Sequence, residues 1–275
     1  MKTNKWRVNT GCNLGYDQSA NKVCIHQILL IVTMDCTLKC KYCAHHCDVN
    51  HGTIDPAEIE QGIDGWSKKL SPHIVSVMGG EPLLNTKVED YLLLCRKRWP
   101  GSNIRLVTNG LQLPQKPDSF FSMCEENAIE IAVSLHYQNE RQENAIEELR
   151  RSGKSISISR VGRQWMKTYG YDSAGAPYPF WNEKYVESWE HCQLRHRCTA
   201  IVGKELYRCA LLAAAAWGVR YGTMSGERWG FALDATRLLP DSPIEDIFHF
   251  YFDQSPLSCC GMCGSGKLHE IKRSR

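Results

Sequence analysis

A chain of 275 residues is long enough for one large domain with an appendage or for two domains. Hydrophobic residues make up 43% and charged residues 23%, which is the composition of a folded globular protein and excludes a disordered tether. The formal net charge of +3 is too balanced to indicate a nucleic-acid or anionic-membrane partner, but it is compatible with an anionic small substrate.

The sequence lacks the signals of export and of membrane insertion. Its most apolar stretch, residues 23–33, is too short to span a bilayer, and the first residues lack the apolar core of a secretory signal. We therefore expect a cytoplasmic protein whose 14 cysteines serve metal binding or redox chemistry more than disulfides. The cysteines that stand alone, and that we expect to be small buried hydrophobes without a role, are Cys12, Cys24, Cys95 and Cys124.

Strands and helices alternate through the first part of the chain. A β-rich run over residues 26–33 precedes a helix that begins with Asp55 as N-cap, Pro56 at N1 and Glu58 at N3. This alternation predicts βαβ units, and hence an α/β fold with a parallel sheet or barrel. The other predicted strands are 73–78, 104–108, 129–135 and 155–159, and the other predicted helices are 88–98 and 144–152.

The alternation stops after residue 161. Residues 169–180 are rich in Gly, Pro and Tyr, as in a linker or a loop over a barrel mouth. Residues 198–209 are predicted to form a hairpin that turns at Gly203, followed by a buried helix over 210–217. The predicted division is an N-terminal extension over 1–22, a barrel domain over 23–165, a linker over 166–190 and a cysteine-bearing domain over 191–275.

Three cysteines with the spacing C-x3-C-x2-C follow the first strand: Cys36, Cys40 and Cys43. They lie at the C-terminal end of a parallel strand, where α/β barrels place their chemistry. The spacing matches neither the paired cysteines of zinc sites nor the bacterial ferredoxin run. Three thiolates leave one iron of a cubic [4Fe-4S] cluster open to a cofactor or substrate, unless Cys47 closes that position and makes an electron-transfer cluster.

At these residues the sequence resembles the radical SAM superfamily, whose CxxxCxxC signature has an aromatic residue before the last cysteine. Residues 79–82, Gly-Gly-Glu-Pro, are similar to the family's GGE motif, which holds the amino group of S-adenosylmethionine, and 108–110 are similar to its TNG turn. The three motifs occur in order at successive strand ends, and the resemblance covers most of residues 23–161. It implies cofactor contacts at Tyr42, Gly79, Gly80, Glu81, Pro82 and Asn109.

The resemblance implies a partial (β/α)5-6 TIM-like barrel that holds a [4Fe-4S] cluster and S-adenosylmethionine. The family's barrel has six strands as a rule, whereas five are predicted here. The implied reaction is reductive cleavage of the cofactor to methionine and a 5'-deoxyadenosyl radical, which abstracts hydrogen from a substrate. The electron would come from a donor such as flavodoxin or ferredoxin.

Polar residues alternate along the last two predicted strands of the barrel. Ser134 and His136 share one face of their strand, and Ser157 and Ser159 share one face of the next. On a barrel-lining face the serines suit the cofactor or a polar substrate, and ordinary hydrogen-bonded interior serines are the alternative. We expect His136 to act at the catalytic site.

Six further cysteines occupy the last third of the chain: Cys192, Cys198, Cys209, Cys259, Cys260 and Cys263. A cysteine-bearing hairpin and a distant C-x2-C are the parts of a small closed metal site. The layout resembles the Twitch domain, the shortened form of the SPASM domain, which implies a second, auxiliary [4Fe-4S] cluster. A structural zinc is the competing hypothesis. The expected ligands are Cys198, Cys209, Cys260 and Cys263, with Cys192 as an alternative ligand.

The resemblance favours a dehydrogenase or epimerase that acts on a small carbohydrate-like or aminocyclitol substrate, because relatives of this size with one auxiliary cluster do so. Peptide-modifying relatives commonly carry a leader-binding domain ahead of the barrel, and only about 22 residues precede the first strand here. A peptide maturase is the alternative enzyme. An iron-sulfur electron carrier and a zinc-stabilised binding protein are the alternatives from other classes.

A dehydrogenase would pass an electron from the substrate radical to the auxiliary cluster. An epimerase must instead return a hydrogen atom to the substrate, and a free thiol is a suitable donor. Cys259, next to a predicted ligand, is the first candidate for this role, and Cys192 is the second. A packed cysteine without a role is the alternative for either one.

Overall fold

The computed structural model describes residues 14–136, 139–161, 164–166, 168–181, 184–192, 195, 197–233, 237–253, 255–263 and 268–270. Its helices are α1 (Pro56–Trp66), α2 (Val88–Arg98), α3 (Asp118–Glu126), α4 (Glu140–Arg151), α5 (Tyr185–Glu190), α6 (Ala210–Arg220), α7 (Gly226–Trp229) and α8 (Ile244–Phe252). Its strands are β1 (Gly15–Asp17), β2 (Lys22–Ile31), β3 (Leu70–Met78), β4 (Asn103–Thr108), β5 (Ile129–His136), β6 (Ser157–Val161), β7 (Gln164–Met166), β8 (Tyr169–Tyr171), β9 (Pro177–Pro179), β10 (Ala200–Val202), β11 (Glu205–Tyr207), β12 (Arg237–Leu238) and β13 (Leu268–Glu270). No helix in these ranges is long and apolar enough to cross a membrane.

One sheet organises the molecule, in the order β12-β11-β10-β2-β3-β4-β5-β6, with β1 also paired to β2. Strands β2 to β6 are parallel neighbours in chain order. Helices α1 to α4 connect them, as βαβ units require. The predicted α/β fold with a partial TIM-like barrel is therefore confirmed. Helix α3, which the sequence analysis missed, is one of these connections.

The start of α1 and the turn of the β10–β11 hairpin form at the residues that the sequence predicts. The Asp55 carboxylate accepts a 2.9 Å hydrogen bond from the Ala57 amide, and Pro56 occupies the first turn. Gly203 turns the β10–β11 hairpin with a φ of +58°, which glycine adopts without strain. A Cβ at Gly62 would lie 2.1 Å from the Gly203 carbonyl oxygen, so this glycine lets α1 approach the turn closely.

The hairpin joins the barrel sheet directly, because Ala200–Val202 pairs in parallel with Leu29–Ile31 of β2. The sheet is thus continuous between the predicted barrel and the cysteine-bearing part. The segment between them was expected to be a linker or a loop, but its residues form the β8–β9 hairpin, which we call the tyrosine hairpin (residues 168–180). Trp229 of α7 lies next to this hairpin and donates a 3.0 Å hydrogen bond to the Pro177 carbonyl.

The parallel strands have two different faces. Along β4, Ile104, Leu106 and Thr108 are buried, whereas Asn103, Arg105 and Val107 are half-buried. Ile104 and Leu106 belong to the same hydrophobic core as buried residues of the helices. We call the second side the inner face; on β5 it carries Ser134 and His136. Polar and titratable side chains are therefore available on one side of the barrel sheet.

Among the isolated cysteines, Cys95 and Cys124 are buried, as predicted. Cys24 is buried too, but it is disulfide-bonded, which the sequence analysis did not predict. Cys12 lies outside the described residues.

Candidate functional site

The three early cysteines lie on one loop between β2 and α1, which we call the cysteine loop (residues 33–54). Its two ends are held together by hydrogen bonds from the Met34 amide to the Gly52 carbonyl, 2.8 Å, and from the Gly52 amide to the Asp35 carboxylate, 2.9 Å. Thr33 and Thr53 form an antiparallel bridge across the same neck. The loop therefore projects as a closed unit from the C-terminal edge of the sheet.

Within this loop Cys36, Cys40 and Cys43 are half-buried and are not disulfide-bonded. The Leu38 amide donates a 3.4 Å hydrogen bond to the Cys36 sulfur, and burial raises the pKa of this thiol to about 11. Among the described residues, no three metal-ligating side chains are gathered around one point. The three thiols nonetheless fit an iron-sulfur cluster by their donor chemistry, because they lie on one loop whose ends are held together and a backbone amide donates to one of the sulfurs.

Cys47, the residue that could close the fourth position, is buried on the same loop. Its thiol donates to the Cys43 sulfur, and this contact lowers the pKa of Cys43. Its sulfur also lies 3.6 Å from the His45 carbonyl oxygen. The fourth cysteine of the run is therefore an immediate neighbour of a predicted ligand.

Gly79 and Gly80, two of the predicted cofactor contacts, lie against the start of the cysteine loop. A Cβ at Gly79 would lie 2.2 Å from the Thr33 carbonyl oxygen, and one at Gly80 the same distance from that of Asp35. The Gly80 and Glu81 amides donate to those same two oxygens. The glycines therefore let the end of β3 pair with the start of the cysteine loop.

Glu81 joins two of the recognised motifs. Its carboxylate is completely buried and accepts hydrogen bonds from the Thr108 hydroxyl at 2.7 Å, the Asn109 amide at 2.8 Å and the Leu83 amide at 3.1 Å. Burial raises the pKa of this carboxyl, and the three hydrogen bonds act in the opposite direction. Both carboxylate oxygens of Glu81 therefore accept hydrogen bonds from the protein, and Pro82 beside it is buried as well.

Asn109 links the same edge to the cysteine loop. Its side-chain amide donates a 2.9 Å hydrogen bond to the Thr37 hydroxyl and lies 4.0 Å from the Cys36 sulfur. Its side-chain oxygen accepts from the Leu111 amide at 3.0 Å. The ends of β2, β3 and β4 are therefore connected through Glu81 and Asn109.

The tyrosine hairpin packs on the cysteine loop, a relationship that the sequence analysis missed. Tyr169 donates a 3.0 Å hydrogen bond to the Asp48 carboxylate, and Tyr171 donates to its other oxygen. The Tyr42 ring lies 5.7 and 5.8 Å from the Tyr169 and Tyr171 rings. Tyr42, predicted to face the cofactor, thus contacts the hairpin. The only signal in the sequence was the Tyr-Gly-Tyr run inside an apparently irregular segment.

The four polar residues of the last two barrel strands have different surroundings. Ser134 is directly opposite Ser159 in the register of β5 and β6, so these two lie together on the inner face. His136 is half-buried near the strand end, and burial lowers its pKa. Ser157 donates a 2.6 Å hydrogen bond to Glu130. This contact agrees with the alternative hypothesis, in which the serine is an ordinary hydrogen-bonded interior residue.

All six late cysteines line one cavity of about 70 Å³. Cys209 immediately precedes α6, and a hydrogen bond from Cys198, helped by amides of the first helical turn, lowers the pKa of its thiol to about 7. Cys259 is buried and its thiol donates to the Cys260 sulfur. The hairpin thiols and the distant C-x2-C thiols thus line the same cavity, and by their donor chemistry they fit a thiolate-bound metal group.

Helix α6 contacts both cysteine-bearing sites. Its first residue follows Cys209, while the Asn50 side chain of the cysteine loop donates a 2.8 Å hydrogen bond to the Ala214 carbonyl. Trp217 donates to the His51 carbonyl at 3.3 Å. Because all residues from Ala210 to Gly218 are buried, the helix is a packed spacer between the two sites.

This combination of a barrel sheet, a three-cysteine loop and two motif-bearing strand ends defines a class of enzyme. The chain matches the family model described as "Radical SAM superfamily" over residues 30–167, half of its length. The protein belongs to the radical SAM superfamily. This family implies a [4Fe-4S] cluster and S-adenosylmethionine as cofactors.

Individual relatives are more distant. GTP 3',8-cyclase of Rhodococcus opacus (strain B4) is 28% identical over 91 residues, which are 32% of this chain and only 26% of that protein. The structure of BtrN in complex with AdoMet and 2-DOIA overlays with a TM-score of 0.48 at 12% identity, over 84% of this chain and 83% of that one. SuiB of Streptococcus suis bound to S-adenosylmethionine overlays with a TM-score of 0.38 at 14% identity, over 92% and 74% of the respective chains.

Proposed function

We propose that this protein is a radical SAM oxidoreductase or epimerase that acts on a small carbohydrate-like or aminocyclitol substrate. Cys36, Cys40 and Cys43 would hold the cluster that binds and cleaves S-adenosylmethionine. The observation that carries the proposal is the connection of this cysteine loop to the GGE and TNG strand ends through Glu81 and Asn109. The bound cofactor would supply a 5'-deoxyadenosyl radical that abstracts a hydrogen atom from the substrate.

The protein's own residues would position these groups. The Asn109 amide lies near the Cys36 sulfur, where a hydrogen bond would stabilise a thiolate ligand. Ser134, Ser159 and His136, on the inner face near the strand ends, would contact the cofactor or the substrate. Because burial lowers the pKa of His136, its imidazole would be neutral at pH 7 and could accept or donate a hydrogen bond.

The second site would hold an auxiliary [4Fe-4S] cluster on Cys198, Cys209, Cys260 and Cys263. The gathering of these thiols around one cavity supports it, and a structural zinc is the alternative. Cys192 and Cys259, the two surplus thiols, line that same cavity. Neither is therefore set apart from the metal site as a free hydrogen donor, which favours a dehydrogenase over an epimerase.

Anaerobic reconstitution tests the proposal. Reduced protein given S-adenosylmethionine should release 5'-deoxyadenosine and methionine, and it should bind about eight irons per chain. The combined Cys36→Ala, Cys40→Ala and Cys43→Ala variant should retain about four irons and lose cleavage. Cleavage by this variant would refute the assignment of the first cluster. Four irons with one zinc in the unsubstituted protein would refute the auxiliary cluster.

A further inference from the structure

Two lysines of the cysteine loop, which we call the lysine tip (Lys39 and Lys41), lie on either side of a predicted cluster ligand. Both are direct neighbours of Cys40 in sequence, so their Cα atoms are each about 3.8 Å from the Cα atom of Cys40. Over residues 36–43 these two lysines are exposed, and the remaining residues are half-buried. A molecule that approaches this part of the loop from solvent therefore meets the lysine tip first.

The accessible charge at the lysine tip is positive. Among the described residues, the ion pairs that lysines make involve other positions, so neither lysine of the tip has a carboxylate partner there. Three acidic side chains beside the loop are instead held by the protein. Asp35 accepts a hydrogen bond from the Gly52 amide, Asp48 accepts from the tyrosine hairpin, and Glu81 is completely buried.

Other parts of the cysteine loop are covered by the rest of the molecule. The Tyr42 ring packs against the two tyrosine rings of the tyrosine hairpin. Asn50 donates its hydrogen bond to the Ala214 carbonyl of α6, and Cys47 is buried. The lysine tip is thus a solvent-facing side of a loop whose other sides pack on the protein.

These charges suit a protein partner better than a small anion. An exposed lysine is strongly hydrated, so a single ion pair formed there contributes little affinity. The charges of two complementary surfaces act together over a longer range, because they steer the encounter and fix its orientation. Small, weak interfaces of this kind are typical of electron-transfer partners. Because electron tunnelling falls off steeply with distance, the position beside Cys40 also favours transfer to a cluster on this loop.

We infer that the lysine tip is the docking surface of an acidic one-electron carrier protein, which reduces the first cluster from this side. The step moves one electron: the reduced carrier is oxidised by one electron and the cluster is reduced by one, and no bond or proton changes place. The inference rests on the proposed function, because it requires a cluster on Cys36, Cys40 and Cys43.

The test uses reconstituted holoenzyme and, as the carrier, a bacterial flavodoxin with an acidic surface. The variant is Lys39→Glu with Lys41→Glu. The matched control is Lys68→Glu with Lys97→Glu, which changes the charge equally at two exposed lysines that precede β3 and β4, at the opposite edge of the sheet from the cysteine loop. Calorimetry measures binding of oxidised flavodoxin, and stopped-flow absorbance measures cluster reduction by flavodoxin hydroquinone.

At low ionic strength the lysine-tip variant should bind flavodoxin about tenfold more weakly or worse and be reduced more slowly by a similar factor, while the control behaves like the unsubstituted protein. The difference should shrink at high salt, because exposed charges are screened. Photoreduced deazariboflavin, a small uncharged reductant, should reduce all three proteins equally. Iron content and binding of S-adenosylmethionine should also be equal.

Three results would overturn the inference. The first is equal flavodoxin binding and reduction for the lysine-tip variant and the control. The second is slower reduction by deazariboflavin or weaker cofactor binding in the lysine-tip variant, which would assign the lysines to the cluster or the cofactor. The third is loss of reduction by flavodoxin when the four expected ligands of the second site are changed to Ala, which would place electron entry there. Absence of cofactor cleavage by the unsubstituted protein with either reductant would instead refute the proposed function.

Discussion

The Glu81 carboxylate accepts a 2.7 Å hydrogen bond from the Thr108 hydroxyl, although Glu81 follows β3 and Thr108 is the last residue of β4. The same carboxylate accepts from the Asn109 amide, whose side chain in turn contacts the cysteine loop. The motif glutamate therefore acts as a buried brace between three strand ends in this structure.

Replacing Glu81 by Gln should lower the free energy of unfolding by about 1–3 kcal/mol, because a side-chain amide offers one acceptor oxygen where the carboxylate offers two to buried donors. Cofactor binding should weaken as a consequence of the displaced Asn109 turn, while both clusters assemble. Thermal unfolding, iron content and equilibrium binding of S-adenosylmethionine measure these effects. Unchanged stability with weaker cofactor binding would instead indicate a direct contact between Glu81 and the cofactor.

Replacing Gly79 by Ala should destabilise the protein by about 1–3 kcal/mol and reduce iron in the first cluster, because the new methyl group would meet the Thr33 carbonyl oxygen at 2.2 Å. Gly230 provides the control, since a Cβ there meets no atom within 4 Å. Gly230→Ala should change neither the stability nor the iron content measurably. Equal melting temperatures for the two variants would contradict the close packing of β3 on the cysteine loop.

Removing the hydroxyl groups of Tyr169 and Tyr171 together should accelerate loss of iron from the first cluster under a chelator, because Asp48 would lose both of its phenol donors. Tyr178→Phe, on the partly exposed face of the same hairpin, is the matched control. The double Phe variant should retain iron in the second site. Identical chelation rates for the double variant and the control would show that the hairpin does not hold the loop.

Protonation of His136 should oppose folding. Its pKa in the folded state is lowered by burial, so the folded protein binds this proton less readily than the unfolded chain. The resulting stability is complete above the unfolded pKa of about 6.5 and falls as the pH decreases below it. Thermal unfolding between pH 7.5 and about 5 should show a smaller loss for His136→Gln than for the unsubstituted protein. Parallel curves would refute this contribution.

Local chemistry made much of the fold predictable. The Asp55-Pro56 helix start and the Gly203 turn each depend on residues adjacent in sequence. The alternation of strands and helices predicted a parallel sheet. The long-range contacts were not predictable in this way. The phenol hydrogen bonds to Asp48 come from residues more than 120 positions away, and the Tyr-Gly-Tyr run does not indicate their partner. The buried state of Glu81 also arises from packing between distant segments.

The site was predictable to a similar extent. Spacing identified the early cysteines and the late hairpin and C-x2-C cysteines, and the structure places the late ones around a common cavity. The ion pair between Arg105 and Glu130 on the inner face was not predicted. An alternating strand pattern does not distinguish a solvated face from the inner face of a barrel.

We propose that the first cysteine loop holds a cluster with an iron open to S-adenosylmethionine. The most direct measurement is the electron paramagnetic resonance spectrum of the reduced protein with and without the cofactor, recorded for the unsubstituted chain and for the variant with Cys198, Cys209, Cys260 and Cys263 all changed to Ala. We expect one remaining reduced cluster in the variant, with a spectrum that changes when S-adenosylmethionine is added, as it also does in the unsubstituted protein. A reduced cluster whose spectrum does not respond to the cofactor in either protein would contradict it.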